Sequence, residues 1–246
     1  MFPHTINHSL CPRAGRGGGF ILSVKKGMLI AAAAVFACVV LLSLCFSSVA
    51  AGMSGSALFT VVLDAGHGGV DDGVVGKTTG VKESEINLSL VYALKEDFEN
   101  AGFKVVLTRT DEGGLYGLPT KGFKRRDMQK RREIIEEASP AVMLSVHQNY
   151  FPSDPSRRGG QAFYRMGSAS GQKLAQSIQA ELNTLSQREH SALTGDYYML
   201  ECTNFTSVIV ECGFLSNAED EELLTDPSYR EKLANAIFCG TLAFLS

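Results

Sequence analysis

Residues 59–69 read FTVVLDAGHGG, an apolar run followed by a glycine-rich loop that contains a histidine. The run at 59–64 is short, rich in β-branched residues and nearly continuous in apolar side chains, which is typical of a parallel strand covered on both faces. In an open α/β sheet, ligands bind beyond the carboxyl ends of the strands. The stretch therefore predicts a buried strand that delivers His67 to a ligand-binding edge of the sheet.

Three further runs share this character. They are KVVLTR at Lys104–Arg109, AVMLSVH at Ala141–His147 and SVIVE at Ser207–Glu211. Each is apolar and mostly β-branched, so each predicts another parallel strand.

Helical patterns separate these runs. Apolar residues recur three or four positions apart at 86–98 and 174–185, Ser216 with Glu219 forms a capping-box pattern, and Asp226–Pro227 opens a last helix. Alternation of strands and helices favours a three-layer α/β fold, with a mostly parallel twisted sheet and helices on both faces. We expect a single catalytic domain over residues 58–246.

The segment before this domain has the character of a targeting element. Residues 28–46 read MLIAAAAVFACVVLLSLCF without a charge, Lys25 and Lys26 precede them, and the small residues SSVAAG follow. The pattern predicts a signal peptide, and the run is also long enough for an uncleaved membrane anchor. We expect residues 1–57 to be a signal or anchor segment with a linker, and the domain to be exported, either secreted or membrane-anchored through that segment alone.

Composition excludes several classes of protein. The chain has 246 residues and a formal net charge of −3, which does not favour a nucleic-acid partner. The domain carries three cysteines, Cys202, Cys212 and Cys239, an odd number without CxxC spacing. This is neither a disulfide framework nor a zinc-finger pattern.

The residues that could carry chemistry fall at the ends of the predicted strands. His67 follows the first strand, His147 closes the third and Glu211 closes the fourth, so all three meet at one edge of the sheet. A catalytic zinc ion takes three protein ligands and leaves one position open. Glu83 or Glu85, at a helix start, could supply the third ligand beside the histidines, and their spacing does not decide between them.

Glu211 differs from an ordinary surface acid because it ends a strand made of Ser, Val and Ile. Burial of a carboxylate costs several kcal/mol unless a charge or a metal compensates it. We interpret Glu211 as a general base that faces a zinc-bound water, with a structural ion pair as the alternative.

Four motifs carry a resemblance to a known family: LDAGHGGVDDG at 63–73, KESEINL at 82–88, LSVHQN at 144–149 and VIVECGFLSN at 208–217. Together they resemble the zinc amidases that cleave N-acetylmuramoyl-L-alanine bonds in bacterial peptidoglycan, over about residues 58–245. A carboxypeptidase-like zinc hydrolase of peptidoglycan, or a non-catalytic wall-binding module, remains an alternative.

The resemblance assigns roles to individual residues. It implies that His67, Glu83 and His147 bind one Zn²⁺ per chain and that Glu211 is the catalytic acid–base, with Glu85 as a non-ligand. It also implies supporting positions. Arg131 matches an arginine before the His147 strand, and Asn149 either orients the site or is an exposed turn residue.

A narrower resemblance concerns the amidases of spore-forming bacteria that prepare cortex peptidoglycan for germination. It rests on TKGFKRRDMQKR at 120–131, GGQAFYR at 159–165 and DYYMLECTNFTSVIVECGFLSN at 196–217. It implies a role in muramic lactam formation on glycan strands with stem peptides, in the intermembrane space of the forespore. It also implies a deacetylase or an accessory lipoprotein acting in the same pathway.

Two features keep two interpretations each. The seven basic residues between Lys121 and Arg132 form a solvated helix face, or they contact peptidoglycan carboxylates or a partner protein. The segment Tyr197–Met199 lines a groove or packs as core.

Overall fold

The computed structural model describes residues 59–246, so the signal or anchor interpretation of residues 1–57, with the apolar run 28–46, lies outside the described residues. Within 59–246, no helix has both the length and the apolar character needed to cross a membrane.

The described residues form one mixed sheet of six strands. The strands are β1 Thr60–Ala65, β2 Lys104–Leu107, β3 Val142–Asn149, β4 Gln161–Tyr164, β5 Leu193–Thr194 and β6 Thr206–Phe214. Their order across the sheet is β2-β1-β3-β6-β4-β5. The first four in that order are mutually parallel, and β4 runs antiparallel to β6 with β5 parallel to β4. The prediction of a mostly parallel sheet is confirmed, while β4 and β5 were not predicted.

Six helices complete the domain. They are α1 Glu83–Asn100, α2 Phe123–Ala138, α3 Ala169–Ser186, α4 Tyr198–Glu201, α5 Ala218–Thr225 and α6 Pro227–Leu245. One face of the sheet packs against α1 and α3, with α6 packed against these two helices, and the other face packs against α2 and α4. The three-layer prediction is therefore confirmed.

Strand β1 shows why both faces of the sheet are covered. Successive side chains of a strand point to opposite faces. Val61 and Leu63 join the core beneath α1, whereas Val62 joins the smaller core with Ile135 of α2 and Met143 of β3. A strand with two buried faces must be apolar at nearly every position, as its sequence is.

The two C-terminal helices begin with side-chain caps. Asp226 accepts a hydrogen bond from the Ser228 backbone and precedes Pro227, as predicted for α6. The predicted capping box of α5 was wrong, because Asn217 is the cap and accepts from the Asp220 backbone at 3.0 Å. Ser216 instead accepts a hydrogen bond from the backbone of Phe151.

A carboxylate of α5 closes the loop that precedes α1. Glu221 accepts hydrogen bonds from the Thr78 and Thr79 amides at 2.9 and 2.6 Å and from the Thr79 hydroxyl at 2.7 Å. Gly76 has no side chain and therefore leaves room for this carboxylate. A methyl group added at Gly76 would overlap it. The loop before α1 is thus fixed by the C-terminal part of the chain.

Candidate metal centre

The side chains predicted from the strand ends meet at the carboxyl edge of the parallel strands. His147 on β3 and Glu211 on β6 are register partners in adjacent strands. His67 lies in the loop after β1, and Glu83 is the first residue of α1. Four separate segments of the chain therefore build one site.

His67, Glu83 and His147 form a compact triad. Glu83 Oε1 lies 2.9 Å from His147 Nδ1 and 3.2 Å from His67 Nε2. One ligand atom from each residue lies within 4.8 Å of the others, and among residues 59–246 this is the cluster with metal-binding geometry. Two imidazole nitrogens and one carboxylate oxygen are the donor set of several catalytic zinc sites.

The backbone at His67 is held in an uncommon conformation. His67 has φ of 62°, in the left-handed region that non-glycine residues seldom adopt, and Gly68 and Gly69 that follow also have positive φ. Such strain persists where the surroundings fix it, and it is concentrated at functional sites. A side chain at Gly66 would overlap the His147 ring, so the close approach of loop and imidazole requires glycine there.

The carboxylate of Glu83 is fully supplied with donors. Its Oε2 accepts from the Val74 amide at 2.9 Å, and its Oε1 accepts from the Gln148 amide at 3.0 Å. Burial raises the pKa of Glu83, but the hydrogen bonds and charges of the two imidazoles outweigh burial and hold the pKa well below its usual range. Glu83 is therefore ionised at neutral pH, as a metal ligand must be. Glu85, two residues further along α1, is exposed and does not belong to the metal-binding cluster.

Asp71 is a site residue that the sequence analysis missed. Its Oδ1 lies 3.0 Å from Nδ1 of His67, four residues before it. Burial lowers the pKa of His67, but Asp71 and Glu83 together raise it to about 9. A carboxylate on the second ring nitrogen fixes the orientation of a metal-binding imidazole. The signal was present in the loop sequence DAGHGGVDDG, which places a carboxylate there.

Glu211 is buried beside the triad without a hydrogen-bond partner. Its residue is 9% exposed, and its Oε2 finds no partner among the described residues. Burial raises the pKa of Glu211 to about 7, although the charge of His147 opposes the shift. A carboxyl group with that pKa can both accept and donate a proton near neutral pH.

Two buried arginines hold the loop after β1. Arg131 donates to the carbonyls of Ala65 at 2.7 Å and His67 at 2.6 Å. Arg109, which the sequence analysis took only as the end of a strand, donates to the carbonyls of Ala65 at 2.9 Å and Gly66 at 3.1 Å. Both guanidinium groups act on the backbone around His67.

The predicted supporting residue Asn149 lines the cleft at the triad, but its Oδ1 accepts a hydrogen bond from the next amide, Tyr150, at 2.8 Å. The structure therefore gives Asn149 a local turn contact. His190 lies apart from the triad, with Nε2 2.9 Å from the Arg158 carbonyl. Tyr197, Tyr198 and Met199 all line a cavity, and Met199 is also buried in the core, so both interpretations of that segment hold.

The cleft itself has a volume of about 460 Å³ and is lined by the triad, Glu211 and Tyr197. This volume lies in the range of small-molecule sites. A larger groove of about 720 Å³ runs between α2 and α4 beside Cys202 and contains no member of the triad.

The chain is similar in sequence and in structure to known proteins. A sequence model of N-acetylmuramoyl-L-alanine amidases matches residues 61–242. The chain is 32% identical over 194 residues to the germination-specific N-acetylmuramoyl-L-alanine amidase of Bacillus subtilis (strain 168), covering 76% of this chain and 79% of that protein. Among solved structures it is similar to the CwlD amidase from Clostridioides difficile in complex with the GerS lipoprotein, with a TM-score of 0.72, 36% identity and coverage of 76% and 98%. An N-acetylmuramoyl-L-alanine amidase from Clostridium difficile 630 matches with a TM-score of 0.68, 27% identity and coverage of 77% and 98%.

Proposed function

The chain belongs to the N-acetylmuramoyl-L-alanine amidase family, and we propose that it cuts its peptidoglycan substrate with one Zn²⁺ held by His67, Glu83 and His147. The bond cleaved is the amide between N-acetylmuramic acid and L-alanine. The observation that carries the metal proposal is the convergence of two imidazoles on the ionised, buried carboxylate of Glu83.

The residues present fit a divalent cation for a further reason. Glu83 and Asp71 both lie against His67, and they raise its pKa to about 9. A site that holds a proton so firmly has an excess of negative charge, which a cation satisfies when it replaces that proton. A Cβ atom added at Gly73 would overlap Glu83 Oε2. Because Gly73 has no side chain, the space beside the carboxylate stays free.

A zinc ion held by His67, Glu83 and His147 would polarise the amide carbonyl and activate a water molecule. Glu211 faces the same cleft, and we propose that it takes a proton from the attacking water. The same carboxyl then delivers that proton to the alanine nitrogen, since an amine leaves poorly without one. Glu211 is buried and its Oε2 has no partner among the described residues, which leaves the carboxyl group free for both steps. Asp71 orients His67, and Arg131 with Arg109 fixes the loop that carries it.

We also propose where the enzyme acts. The apolar run at 28–46 and the wall-directed activity together support export across the cytoplasmic membrane. The relative in Bacillus subtilis is germination-specific, and the structural relative was solved with a lipoprotein. The first supports action in germination, and we propose that the substrate is spore-cortex peptidoglycan. The second supports an accessory lipoprotein, and we propose a deacetylase as a further enzyme of the same pathway.

The experiment combines metal analysis of the purified protein with identification of the products from intact muropeptides. We expect one zinc per chain and a new free L-alanine amino terminus. A new carboxyl terminus within the stem peptide would instead identify a carboxypeptidase. Absence of stoichiometric metal in the active protein contradicts the zinc proposal.

Variants separate the ligands from the acid–base. Glu211→Gln keeps the shape and removes the base, so zinc stays bound while turnover falls by at least ~10²-fold. His147→Ala and Glu83→Ala lose both metal and activity, because each removes one of three protein ligands. Glu85→Ala is the matched control at the same helix start and retains both. Loss of metal from Glu85→Ala but not from Glu83→Ala would overturn the ligand assignment.

A further inference from the structure

A second, smaller cavity lies beside the two imidazoles and adjoins the cleft. It has a volume of about 140 Å³, and its wall includes the side chains of Met128, Tyr198, Met199 and Ile209. It shares His67, Asp71, Lys124, His147, Tyr197 and Ile209 with the larger cleft, so the two imidazoles border both spaces, whereas Glu83 lines the cleft alone. We call this cavity the side pocket. A substrate bond held at the two imidazoles thus lies next to two spaces, one large and one small.

Lys124 lies at the junction of these spaces together with Asp71, which also lines both. Three other members of the basic run have protein partners: Arg126 donates to the Leu118 and Tyr116 carbonyls, Arg131 is buried against Asp64, and Arg132 pairs with Glu136. Lys124 instead lines both the cleft and the side pocket. Its side chain is 64% exposed, and its Nζ lies 3.2 Å from Asp71 Oδ2.

The pair of Lys124 and Asp71 leaves donors free for a ligand. An ammonium group carries three N–H donors, and Asp71 is a single acceptor partner whose other oxygen faces His67. An ion pair this exposed contributes little to the free energy of unfolding. Stability of the fold therefore does not explain why a lysine occupies position 124. Its charge faces the two cavities beside the triad.

Resting on the proposed amidase function, we propose that Lys124 and the side pocket form the subsite for the peptide side of the substrate. The Lys124 ammonium binds a carboxylate of the stem peptide, and the side pocket receives the alanine methyl group. Charge indicates which part of the substrate Lys124 contacts. The N-acetylated sugars are neutral, whereas the stem peptides carry carboxylates. Size agrees, because about 140 Å³ is below the range of sites for whole small molecules, whereas the cleft of about 460 Å³ lies within it.

The test compares two muropeptides that differ in one group. In one, the residue that follows alanine carries a free α-carboxylate, and in the other that group is a neutral carboxamide. For the wild-type protein we expect kcat/KM to favour the carboxylate by roughly 10-fold, the size of one charge-assisted hydrogen bond, chiefly through KM. In Lys124→Gln the ratio between the two substrates falls to about one. Rising salt lowers the wild-type preference, because the contact is partly exposed.

Arg125→Gln provides the matched control. Arg125 is the next residue on α2 and is exposed, but it lines neither cavity, so this variant keeps the wild-type preference. Metal content is measured for each protein, which separates loss of the substrate contact from disturbance of Asp71 and His67. Met128→Phe fills the side pocket and raises KM for both substrates alike.

Three outcomes contradict the subsite. They are equal rates of the wild-type protein on both substrates, an unchanged preference in Lys124→Gln, or an unchanged KM in a metal-loaded Met128→Phe. Failure of the proposed function would give a different result. In that case the wild-type protein would not cleave the muramoyl–alanine bond of either muropeptide.

Discussion

The imidazole of His67 has a carboxylate at each nitrogen, Asp71 at Nδ1 and Glu83 at Nε2. Together they raise its pKa to about 9, so the metal-free protein holds a proton on this ring at neutral pH. A metal ligand must be neutral imidazole. Metal binding and proton release are therefore coupled at one residue.

This coupling predicts the pH dependence of metal affinity. Below about pH 9 the cation must displace one proton from His67, so the apparent affinity falls by roughly tenfold for each unit of pH lost. Calorimetric titration with Zn²⁺ at pH 7.5 in buffers of different ionisation enthalpy measures the proton release directly. We expect about one proton per metal ion. Binding without proton release would show that His67 is already neutral in the free protein.

A second prediction at this scale concerns Asp71. Asp71→Asn removes the charge that orients His67, and loss of such an outer partner weakens metal affinity by roughly 10- to 100-fold. Competition with a chelator of known affinity measures the effect. Asp72→Asn is the matched control, because the neighbouring Asp72 pairs with Lys82 at the surface. Equal affinities of the two variants would remove Asp71 from the site.

Sequence patterns located His67, His147 and Glu211 because each ends or follows a readable strand, whereas the choice of Glu83 over Glu85 came from the family resemblance. Asp71 and Arg109 were not predicted. The contact of Asp71 depends on the left-handed turn at His67, and that of Arg109 depends on β2 lying next to β1. Neither the turn nor the neighbour relation is encoded in local periodicity.

At the scale of elements, one buried ionic cluster joins α2 to β1. Arg131 lies 2.6 Å from Asp64 on β1 and 2.6 Å from Asp127 on its own helix. Burial alone would raise the pKa of Asp64, but Arg131 and the hydroxyls of Ser145 and Thr108 lower it to about 2. This helix therefore does more than cover the sheet, because its arginine also holds the His67 loop.

We expect Arg131→Met to lower the free energy of unfolding by about 3–5 kcal/mol, since it leaves a buried carboxylate unpaired. Urea unfolding at pH 7 measures the loss. Arg132→Met is the matched control on the same helix, and its exposed pair with Glu136 should contribute less than about 1 kcal/mol. Similar stabilities of the two variants would contradict the role of the cluster.

The same cluster has a defined pH window. Because the folded pKa of Asp64 is depressed to about 2, its stabilising contribution is present above its unfolded pKa near ~3.9 and is lost as pH falls through 2. We expect the wild-type protein to lose this contribution between those values. Acid titration of Asp64→Asn, followed by circular dichroism, should lack that component of the transition, and an identical acid transition in both proteins would contradict it.

The elements that sequence analysis predicted are those with long, strongly patterned runs. The four parallel strands were located to within three residues at each end, because strands buried on both faces are apolar throughout. Strands β4 and β5 were missed. They have four and two residues, and β5 lies exposed at the edge of the sheet, so no apolar alternation marks them. The cap of α5 was misplaced by one residue, since Ser216 and Asn217 are both good caps.

For the whole molecule, the relation to a germination-specific enzyme predicts a phenotype. Deletion of the gene should leave vegetative growth normal and yield spores whose cortex lacks muramic lactam and which germinate poorly. Muropeptide analysis of purified spores measures the lactam, and complementation with the Glu211→Gln variant should not restore it. Normal lactam in a deletion strain that has no second amidase would contradict the cortex role while leaving the chemistry intact.

The carboxylate of Glu221 that closes the Thr78–Thr79 loop has a consequence for the order of folding. The contacting residues are more than 140 positions apart in the sequence. The loop before α1 therefore cannot close until nearly the whole chain has been synthesised. Contacts of such separation form late and slowly, because loop-closure entropy must be overcome first. A nascent or C-terminally clipped chain therefore lacks the Glu221 carboxylate, and the segment between β1 and α1 is left without its clasp at Thr78 and Thr79.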